Sequence, residues 1–352
     1  MPAFGFEFLT QLLETPSPSG EERAIQAVVR QHMTGVCDEV TGDSHGNLYA
    51  TRRGTSTQKV LLAGHCDQIA LMVQHIDAEG FLYVQPIGGW DIQILLGQQL
   101  TVWTSTGPLS AVVARKAIHL LTPDERKKVP EFTDIWLDIG AKSAAEATAR
   151  VRHGDTVTYR LGATVLQNKL VASPALDDKV GVWVVMEALR LLHGQPLDAT
   201  VVAVSTVAEE IGLRGAITAT YTQQPTVGLA VDVCHATDTP GSDRKTQGHI
   251  ACGEGPVVFR GPNMNPHVVE LLIATAAKHV IPVQVRGVPR ATGTDANAIQ
   301  VSRGGVATGL IGIPNRYMHS PVEVCHLDDL TNAAKLLALF CQAVQPMHNW
   351  LP

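Results

Sequence analysis

The chain reads ALDDK at residues 175–179 and continues into the apolar segment VGVWVVMEALRLL at residues 180–192. Asp177 precedes that segment, where an aspartate carboxylate commonly accepts the unpaired backbone N–H groups of a helix. A helix cap is therefore the simplest interpretation of Asp177. The apolar residues that follow recur at helical spacing and predict one buried face, made of Val180, Val184, Ala188 and Leu191.

The remainder of the sequence favours a second interpretation of Asp177. Four other apolar runs each end in residues that can bind a metal ion, namely His65, Glu209 with Glu210, Asp232, and His319. Acids and histidines delivered by several strand ends, with one aspartate at a helix start, are typical of hydrolases that use two metal ions. The sequence therefore predicts a metal-dependent hydrolase centred on Asp177.

Length and composition limit the possible folds and partners. The 352 residues exceed what one hydrophobic core usually supports, so we expect two domains or one large domain with an insert. Apolar residues make up 45% of the chain, which allows a sizeable buried core. The net charge of −6 gives no reason to expect nucleic acid or an anionic membrane as a partner.

Three further features indicate a cytoplasmic protein that does not enter a membrane. The six cysteines are scattered without a C-x-x-C pair, as in proteins that keep their thiols reduced. The first residues lack a basic segment and include Glu7, so we expect no signal peptide. No apolar stretch reaches the ~18–20 residues that are needed to span a membrane.

The N-terminal part predicts two helices followed by a hairpin. Residues 4–14 form the first helix, and the sequence SGEE at residues 19–22 matches a capping box that opens the second helix. In this box the side chain of Ser19 caps the helix, and the side chain of Glu22 reaches back to the backbone N–H of Ser19. A turn at residues 43–47 joins two short strands. The apolar face of the first helix consists of Phe4, Phe8, Leu12 and Leu13.

The C-terminal half alternates buried strands with helices. The runs at 200–207 and 227–231 are typical of strands covered on both faces. Residues 265–278 and 328–344 show the periodicity of amphipathic helices. This alternation predicts an α/β fold with a mainly parallel sheet flanked by helices. In such sheets ligands bind beyond the carboxyl ends of the strands, which is where the candidate metal-binding residues fall.

Between these two parts the pattern changes. Residues 67–162 contain short β-type runs separated by turns, with a tight corner at GGWD, residues 88–91. We expect an inserted β-rich domain, either a small barrel or a sandwich, within a catalytic domain formed by residues 1–66 and 163–352. The insert contains no cluster of candidate ligands, so we do not expect the chemistry to take place there.

Each candidate taken alone has a structural explanation, but their surroundings favour a metal. Asp67 stands two residues after His65 and could accept the N–H of the ring nitrogen that does not bind metal. Glu209 and Glu210 follow a buried run in which two ionised acids would be costly. A metal ion bound to one of them and a proton on the other would explain the pair.

The candidates supply enough ligands for two closely spaced divalent ions. Nitrogen and oxygen ligands without thiolate favour Zn²⁺, with Co²⁺ or Mn²⁺ as alternatives. Cys66 and Cys234 neighbour two candidates, but adjacent residues of a strand point to opposite faces, so we expect both thiols to be packing residues. The three carboxylates and two imidazoles belong to Asp177, Asp232, one of the pair Glu209 and Glu210, His65 and His319.

Six motifs, taken together and in order, resemble the tetrahedral aminopeptidases of metallopeptidase family M42. That family includes glutamyl and deblocking aminopeptidases and proteins labelled endoglucanase. The resemblance covers nearly the whole chain, and the GGWD corner of the insert fits it too. The motifs are GHCD at 64–67, LDDK at 176–179, EEIGLRGA at 209–216, DV at 232–233, GTDA at 293–296 and RYMHSPVE at 316–323.

The resemblance implies a role for each candidate in a dinuclear zinc exopeptidase fold. His65 and Asp232 would bind one metal ion, Glu210 and His319 would bind the other, and Asp177 would bridge them. Glu209 would be the general acid/base, and Asp67 would orient His65. N-terminal residues of short peptides would then be released by a hydroxide that bridges the two ions.

The resemblance also implies an assembly. The insert would be a PDZ-like dimerisation domain, and the dimers would build a hollow dodecamer. Two positions depart from the family pattern, since Gln68 stands where glutamate is common and Lys179 where arginine is common. Neither residue binds metal in this scheme, so the departures bear on substrate preference rather than on catalysis.

Three other functions have to be weighed. A metal-dependent deacylase could use the same residues on N-acylated amino acids or peptides, because the difference lies in the shape of the pocket. Glycoside hydrolysis needs two carboxyl groups facing each other across a sugar, whereas the neighbours Glu209 and Glu210 diverge and aromatic residues are only 5% of the chain. A non-catalytic member of the shell-forming family would not need to keep every ligand.

Overall fold

The computed structural model describes residues 3–352, with side chains from residue 7 onward. Phe4 of the predicted apolar face therefore lies outside the described side chains. The helices in this range are α1 (Ala3–Glu14), α2 (Arg23–Met33), α3 (Ala144–Thr148), α4 (Leu176–Leu191), α5 (Arg214–Gln223), α6 (Arg244–Gln247), α7 (Pro266–Lys278), α8 (Asp295–Gln300) and α9 (Leu327–Ala343).

The strands fall into one large sheet, one small sheet and one barrel. In chain order they are β1 (Glu39–Gly42), β2 (Leu48–Arg52), β3 (Lys59–His65), β4 (Ala70–Ile76), β5 (Leu82–Ile87), β6 (Gln99–Thr104), β7 (Gly107–Arg115), β8 (Ile135–Asp138), β9 (Thr156–Tyr159), β10 (Thr164–Val165), β11 (Leu170–Ser173), β12 (Thr200–Thr206), β13 (Val227–His235), β14 (Val257–Arg260), β15 (Gln284–Gly287), β16 (Ala307–Asn315) and β17 (Glu323–His326).

The large sheet has the strand order β1-β2-β12-β3-β13-β16-β14-β15. Its four central strands, β12, β3, β13 and β16, are parallel, and both edges attach through antiparallel pairs. The central strands are nearly continuous apolar runs because helices cover both of their faces. The α/β fold predicted from the sequence is confirmed, with the parallel arrangement confined to the centre of the sheet.

The helices divide between the two faces of this sheet. On one face α4 packs against the central strands together with α1 and α9, and α7 packs against α9. On the other face α5 and α8 cover the same strands. Gly64 permits the closest approach, since a Cβ at this position would lie 2.5 Å from the backbone carbon of Gly181 in α4. The start of α4 is thereby held against the end of β3.

The insert forms a closed barrel with the order β4-β5-β8-β7-β6-β9, whose strands span residues 70–159. It has its own apolar core, separate from that of the large sheet. The barrel agrees with the small-barrel expectation, whereas the PDZ-like description and the boundaries at 67 and 162 stay predictions. Core side chains of the barrel include Leu82, Leu100, Val102, Val113 and Leu137.

Several local predictions were wrong. The capping box does not form, because Ser19 Oγ donates to Asp67 and α2 begins only at Arg23. The Glu22 carboxylate instead accepts the N–H groups of Gly20 and Ala208. Strands β8 and β14 and the small sheet β10-β11-β17 were not predicted, since short strands carry too little periodic pattern. None of the helices in residues 3–352 is long and apolar enough to cross a membrane.

Candidate metal centre

The predicted site residues come from five different elements. His65 is the last residue of β3, and Glu209 and Glu210 follow β12 after a short turn. Asp177 lies in the first turn of α4, and His319 lies in the loop that follows β16. Because β3, β12, β13 and β16 are parallel, their carboxyl ends meet at one edge of the sheet.

Asp232 was wrongly predicted to end its strand. Strand β13 continues for three more residues to His235, so Asp232 lies inside it. Cys234 stands two residues further along, and side chains at this spacing share one face of a strand. The thiol of Cys234 consequently lines the same cleft as Asp232. The expectation that Cys234 points away from the candidate ligands was therefore wrong, although its side chain is buried.

Asp177 lies between the two histidines. His65 Nε2 is 3.2 Å from Asp177 Oδ1, and His319 Nε2 is 3.2 Å from Asp177 Oδ2. Each carboxylate oxygen thus faces a different imidazole. This arrangement allows one carboxylate to serve two neighbouring cations at once.

A further acid accompanies each histidine. His65 Nε2 lies 4.0 Å from Asp232 Oδ1, and His319 Nε2 lies 3.5 Å from Glu210 Oε1. Ligand atoms of His65, Asp177 and Glu210 all lie within 4.8 Å of one another. The structure thus brings the five predicted ligands together in one cluster, in which Asp177 lies between the two histidines.

Asp178, rather than Asp177, caps the helix. Its Oδ1 accepts the N–H of Gly181, three residues further along, and its Oδ2 accepts the N–H of His65. Asp177 and Asp178 have non-helical backbone angles, so the regular helix begins at Lys179. The predicted cap was therefore displaced by one residue, and the carboxylate of Asp177 is free to face the histidines.

Asp178 also belongs to a group with metal-ligand spacing, formed with His65 and Asp232. Both of its oxygens already accept backbone N–H groups, from His65 and Gly181. The carboxylate is completely buried, and burial together with the neighbouring charge of Asp232 raises its pKa well above the ordinary value. We therefore assign Asp178 to positioning β3 against α4 rather than to metal binding.

Asp67 organises the turn that carries the two glutamates. Its carboxylate accepts the N–H groups of Glu209 and Glu210 at 2.9 and 3.2 Å, and the hydroxyl of Ser19 at 2.7 Å. Nδ1 of His65 lies 3.1 Å from the backbone carbonyl oxygen of Asp67 and 3.5 Å from its carboxylate. A proton on Nδ1 that is donated to the carbonyl leaves Nε2, the atom that faces Asp177, with its lone pair.

Changing Asp67 to asparagine is expected to weaken metal binding or activity by about 10- to 100-fold. The amide keeps the size of the side chain, but its NH₂ group cannot accept the backbone N–H groups of the glutamate turn. Ser19→Ala is the matched control, because it removes one hydrogen bond to Asp67 and leaves the turn in place. Metal affinity and kcat/KM of the two variants test this role, and equal values would contradict it.

The cluster carries more buried acid than it can neutralise by itself. Burial lowers the pKa of His319, but Asp177 and Glu210 raise it to about 11. Burial raises the pKa of Asp232 well above its ordinary value, and the charge of Asp177 adds to this rise. Oxygen and imidazole ligands with surplus negative charge are the donor set that divalent ions of the zinc type bind. The residues therefore fit a metal centre.

Glu209 lies beside this cluster without being central to either group. Its Oε2 is 3.9 Å from His65 Nε2, and the residue is 8% exposed. Burial raises the pKa of Glu209 to about 10; the charge of His65 opposes this rise, and the charge of Asp232 adds to it by a smaller amount. A carboxyl group so placed can exchange a proton in the cleft, and cations bound beside it would favour its ionised form.

Two supporting residues escaped the sequence analysis. Glu323 is buried, and its two oxygens accept the N–H groups of Asp177 and His319, each at 2.9 Å. Asp295 is buried beneath the turn and accepts the hydroxyl of Thr206 at 2.6 Å. Both stand in motifs that carried the resemblance, but only the tertiary structure shows what they bind.

The insert touches the centre through its predicted GGWD corner. A Cβ at Gly89 would lie 3.1 Å from His319 Nδ1, and one at Gly88 would lie 3.3 Å from Glu210 Oε2. Gly88 also has a φ of +79°, which favours glycine. The barrel strands, within residues 70–159, supply no acid or histidine to the cluster, yet the backbone of the corner at Gly88 and Gly89 lies against it.

The two departures from the family pattern contact each other. Lys179 Nζ donates to Gln68 Oε1 at 2.8 Å and to the carbonyl of Thr15 at 2.7 Å. Lys179 is fully buried, and burial lowers the pKa of its ammonium group to about 7. The pair therefore joins the segment after α1 to the start of α4.

The centre opens into a cleft of about 520 Å³. The metal-centre candidates form one part of its lining. The rest of the lining includes residues of β14, of the segment from β15 to residue 294, and Met318. A cleft of this size takes a few residues of an extended peptide or one small molecule.

Comparison with known proteins identifies close relatives. The model of a family described as M42 glutamyl aminopeptidase matches residues 46–336. A lysyl aminopeptidase of Pyrococcus furiosus is 38% identical, with 97% of this chain and 98% of the relative covered. A TET aminopeptidase from a marine-sediment thaumarchaeote has a similar structure, with a TM-score of 0.93, 35% identity and 97% of both chains covered.

A second solved structure adds information on assembly. The TET1 peptidase of Pyrococcus horikoshii is similar with a TM-score of 0.85 and 28% identity, over 97% of this chain and 100% of that one. It is described as assembling into a tetrahedron or a large octahedral shell.

Proposed function

The chain belongs to the M42 glutamyl aminopeptidase family, and from this premise we propose that it releases N-terminal residues from peptides with two divalent metal ions per chain. Membership makes it a peptidase. The observation that supports a dinuclear site best is the position of Asp177, which presents one oxygen to each of two histidines. We propose Zn²⁺ as the metal, with Co²⁺ or Mn²⁺ as alternatives.

The proposed ligands follow the two groups of the cluster. His65 and Asp232 hold one ion, Glu210 and His319 hold the other, and Asp177 is shared. Glu323 accepts the backbone N–H groups of both Asp177 and His319, so that one carboxylate holds the shared residue and one terminal ligand in place. Bound ions supply a water of lowered pKa and polarise the scissile carbonyl.

The chain's own residues supply the proton transfers and the orientation of the substrate. Glu209, buried beside His65, accepts a proton from the attacking water and passes it to the departing amine. Asp67 holds the backbone of Glu209 in place. The acids of the cluster attract the positively charged amine of a free peptide N-terminus, which places the first peptide bond at the centre and limits cleavage to one residue at a time.

A panel of chromogenic aminoacyl amides tests this function. Each compound is offered with a free and with an N-acetylated amino group, in Zn²⁺ or Co²⁺ and again after chelation. We expect cleavage of the free-amine compounds alone and complete loss of it with the chelator. Cleavage of the acetylated compounds alone would make the protein a deacylase, and equal cleavage with and without metal would contradict both functions.

We further propose that the chain self-associates through residues 67–162, first into dimers and then into a hollow dodecamer. The shells described for the Pyrococcus horikoshii peptidase support this proposal. Exposed apolar side chains on the insert, including Ile118 and Leu120 at 63% and 68% exposure, provide surface for such contacts. Sedimentation is expected to show a mass near that of twelve chains, and the mass of a single chain would contradict the assembly.

A further inference from the structure

The floor of the cleft is one continuous face of the large sheet. Asp232 pairs with Gly312 of β16, and Leu310 lies two residues before Gly312 on the same face. Gly312 pairs in turn with Val257 of β14, and Phe259 lies two residues after Val257 on the same face. Phe259 pairs in turn with Arg286 of β15. Because paired residues of neighbouring strands share a face, the metal-centre candidate Asp232 and the arginine lie on the same side of the sheet.

Arg286 occupies the edge strand at the opposite end of this floor. It lines the cleft and is half-buried there. Three strand spacings separate β13 from β15, which amounts to ~14 Å. Burial lowers the pKa of His235, and the charge of Arg286 lowers it further. Arg286 therefore lies in the cleft on the strand next to Phe259, close enough to His235 to act on its charge.

The guanidinium of Arg286 forms no hydrogen bond or ion pair with any residue in the described range 3–352. Arg260 and Arg316 are paired, with Glu270 and Asp238 respectively, whereas Arg290, in the loop after β15, lines the same cleft and is exposed. A half-buried guanidinium with five free donors binds a planar carboxylate in two-pronged fashion. Its surroundings in the cleft leave this position open for an external ligand.

The lining of the cleft shows which charge that ligand carries. Outside the metal-centre candidates, the described lining contains no aspartate or glutamate, but it contains Arg286, Arg290 and His235. A lysine side chain would meet no acid at this end. A carboxylate would meet Arg286, and the methylene groups before it would lie over Phe259.

We propose that Arg286 is a specificity-determining residue that binds a substrate carboxylate, a role that rests on the proposed aminopeptidase function. That carboxylate belongs either to the side chain of an N-terminal glutamate or aspartate or to the C-terminus of a short peptide. In both cases the substrate spans the floor from the metal centre to β15, and binding there places its first peptide bond at the ions.

The test compares Arg286→Gln with the unchanged protein on metal-loaded enzyme. Glutamyl, glutaminyl and alanyl 4-nitroanilides vary the side chain without a free C-terminus. Dialanine and dialanine amide vary the C-terminus alone. The first pair is glutamyl and glutaminyl 4-nitroanilide, and the second is dialanine and dialanine amide. In one of these pairs we expect kcat/KM of the unchanged protein to be about 10- to 100-fold higher for the compound with the carboxylate, because the other compound cannot make the charge-assisted bidentate contact.

Arg286→Gln is expected to abolish that preference while leaving alanyl 4-nitroanilide within about twofold, which a general structural defect would not do. A preference in the first pair assigns the site to the side chain, and one in the second pair assigns it to the C-terminus. Arg286→Lys should keep part of the preference. Arg260→Gln is the matched control, because it removes a charge from the neighbouring strand outside the cleft lining.

Three results would overturn the proposal. The unchanged protein could show no preference in either pair, the preference could survive in Arg286→Gln, or all substrates could be lost equally in that variant. These results differ from a failure of the aminopeptidase function itself, in which the unchanged protein would cleave none of the five compounds with any metal, and the specificity role would fall with it.

Discussion

Glu209→Gln is expected to lower kcat by about 100- to 10,000-fold while the content of metal ions stays that of the unchanged protein. The substitution keeps the volume and the backbone N–H that Asp67 accepts, but it removes the group that takes and returns the proton. Glu209 lies beside the ligand groups rather than at their centre, with its Oε2 3.9 Å from His65 Nε2. A residue at this position that transfers protons and binds no metal should, when substituted, lower turnover without lowering the metal content.

The measurement combines steady-state kinetics on a free-amine aminoacyl amide with metal analysis of the same sample. Glu187→Gln serves as a control, because Glu187 is a glutamate ion-paired with Arg190 and does not line the cleft. Turnover of Glu209→Gln close to that of the unchanged protein would show that another group handles the proton. Loss of metal together with turnover would instead make Glu209 a ligand.

Asp177→Ala is expected to lose both metal ions and all measurable activity. In the proposed ligand assignment Asp177 is shared by both ions, so its removal would take one ligand from each, whereas any other substitution would affect one ion. Within the described residues no other carboxylate lies within 4.0 Å of a ring nitrogen of both histidines. The loss should therefore exceed that caused by any other single ligand change.

Two further variants supply the comparison for Asp177. Asp232→Asn removes a ligand on the His65 side, and Glu210→Gln removes one on the His319 side. Each variant is expected to bind one of the two ions more weakly and to keep the other, as measured by metal analysis after gel filtration. Circular dichroism establishes that the variants are folded. Two ions per chain in Asp177→Ala would refute the shared-ligand role.

The sequence predicted side chains that the structure brings together where a long apolar run ends in polar residues. Long apolar runs followed by His65 or by Glu209 and Glu210 place polar side chains at the edge of a parallel sheet, because few other positions suit them. Asp177 and Asp178 were harder to distinguish. Either aspartate can cap a helix, and the choice depends on the N–H of His65, which lies over a hundred residues away in the sequence.

The supporting contacts could not be predicted in this way. Glu323 joins the backbone of Asp177 to that of His319, and Arg286 stands at the cleft through the pairing of β14 with β15. These positions arise from the order of strands across the sheet, and no local pattern encodes that order. The error about Cys234 had a simpler cause, since the rule for adjacent strand residues was applied to a residue that stands two positions after Asp232.

The cost of burying several acids also explains why Asp67 and Glu323 accept hydrogen bonds from the backbone around the candidate metal centre. Asp67 and Glu323 accept backbone N–H groups with both oxygens, which compensates part of the cost of burying them. Among the residues that the structure describes, Asp232 has only the N–H of its neighbour Val233 as a hydrogen-bond donor. A bound cation would therefore offset the cost of burial most at Asp232, which accepts the fewest backbone hydrogen bonds of these three acids.

The most direct test of the dinuclear aminopeptidase is the number of ions that restores peptide-bond cleavage. Protein stripped with a chelator is titrated with Zn²⁺ or Co²⁺ while bound ions per chain and hydrolysis of a free-amine aminoacyl amide are measured on the same sample. We predict that the stripped protein is inactive and that activity rises until two ions per chain are bound. Full activity with one ion per chain, or activity that survives complete removal of metal, would contradict it.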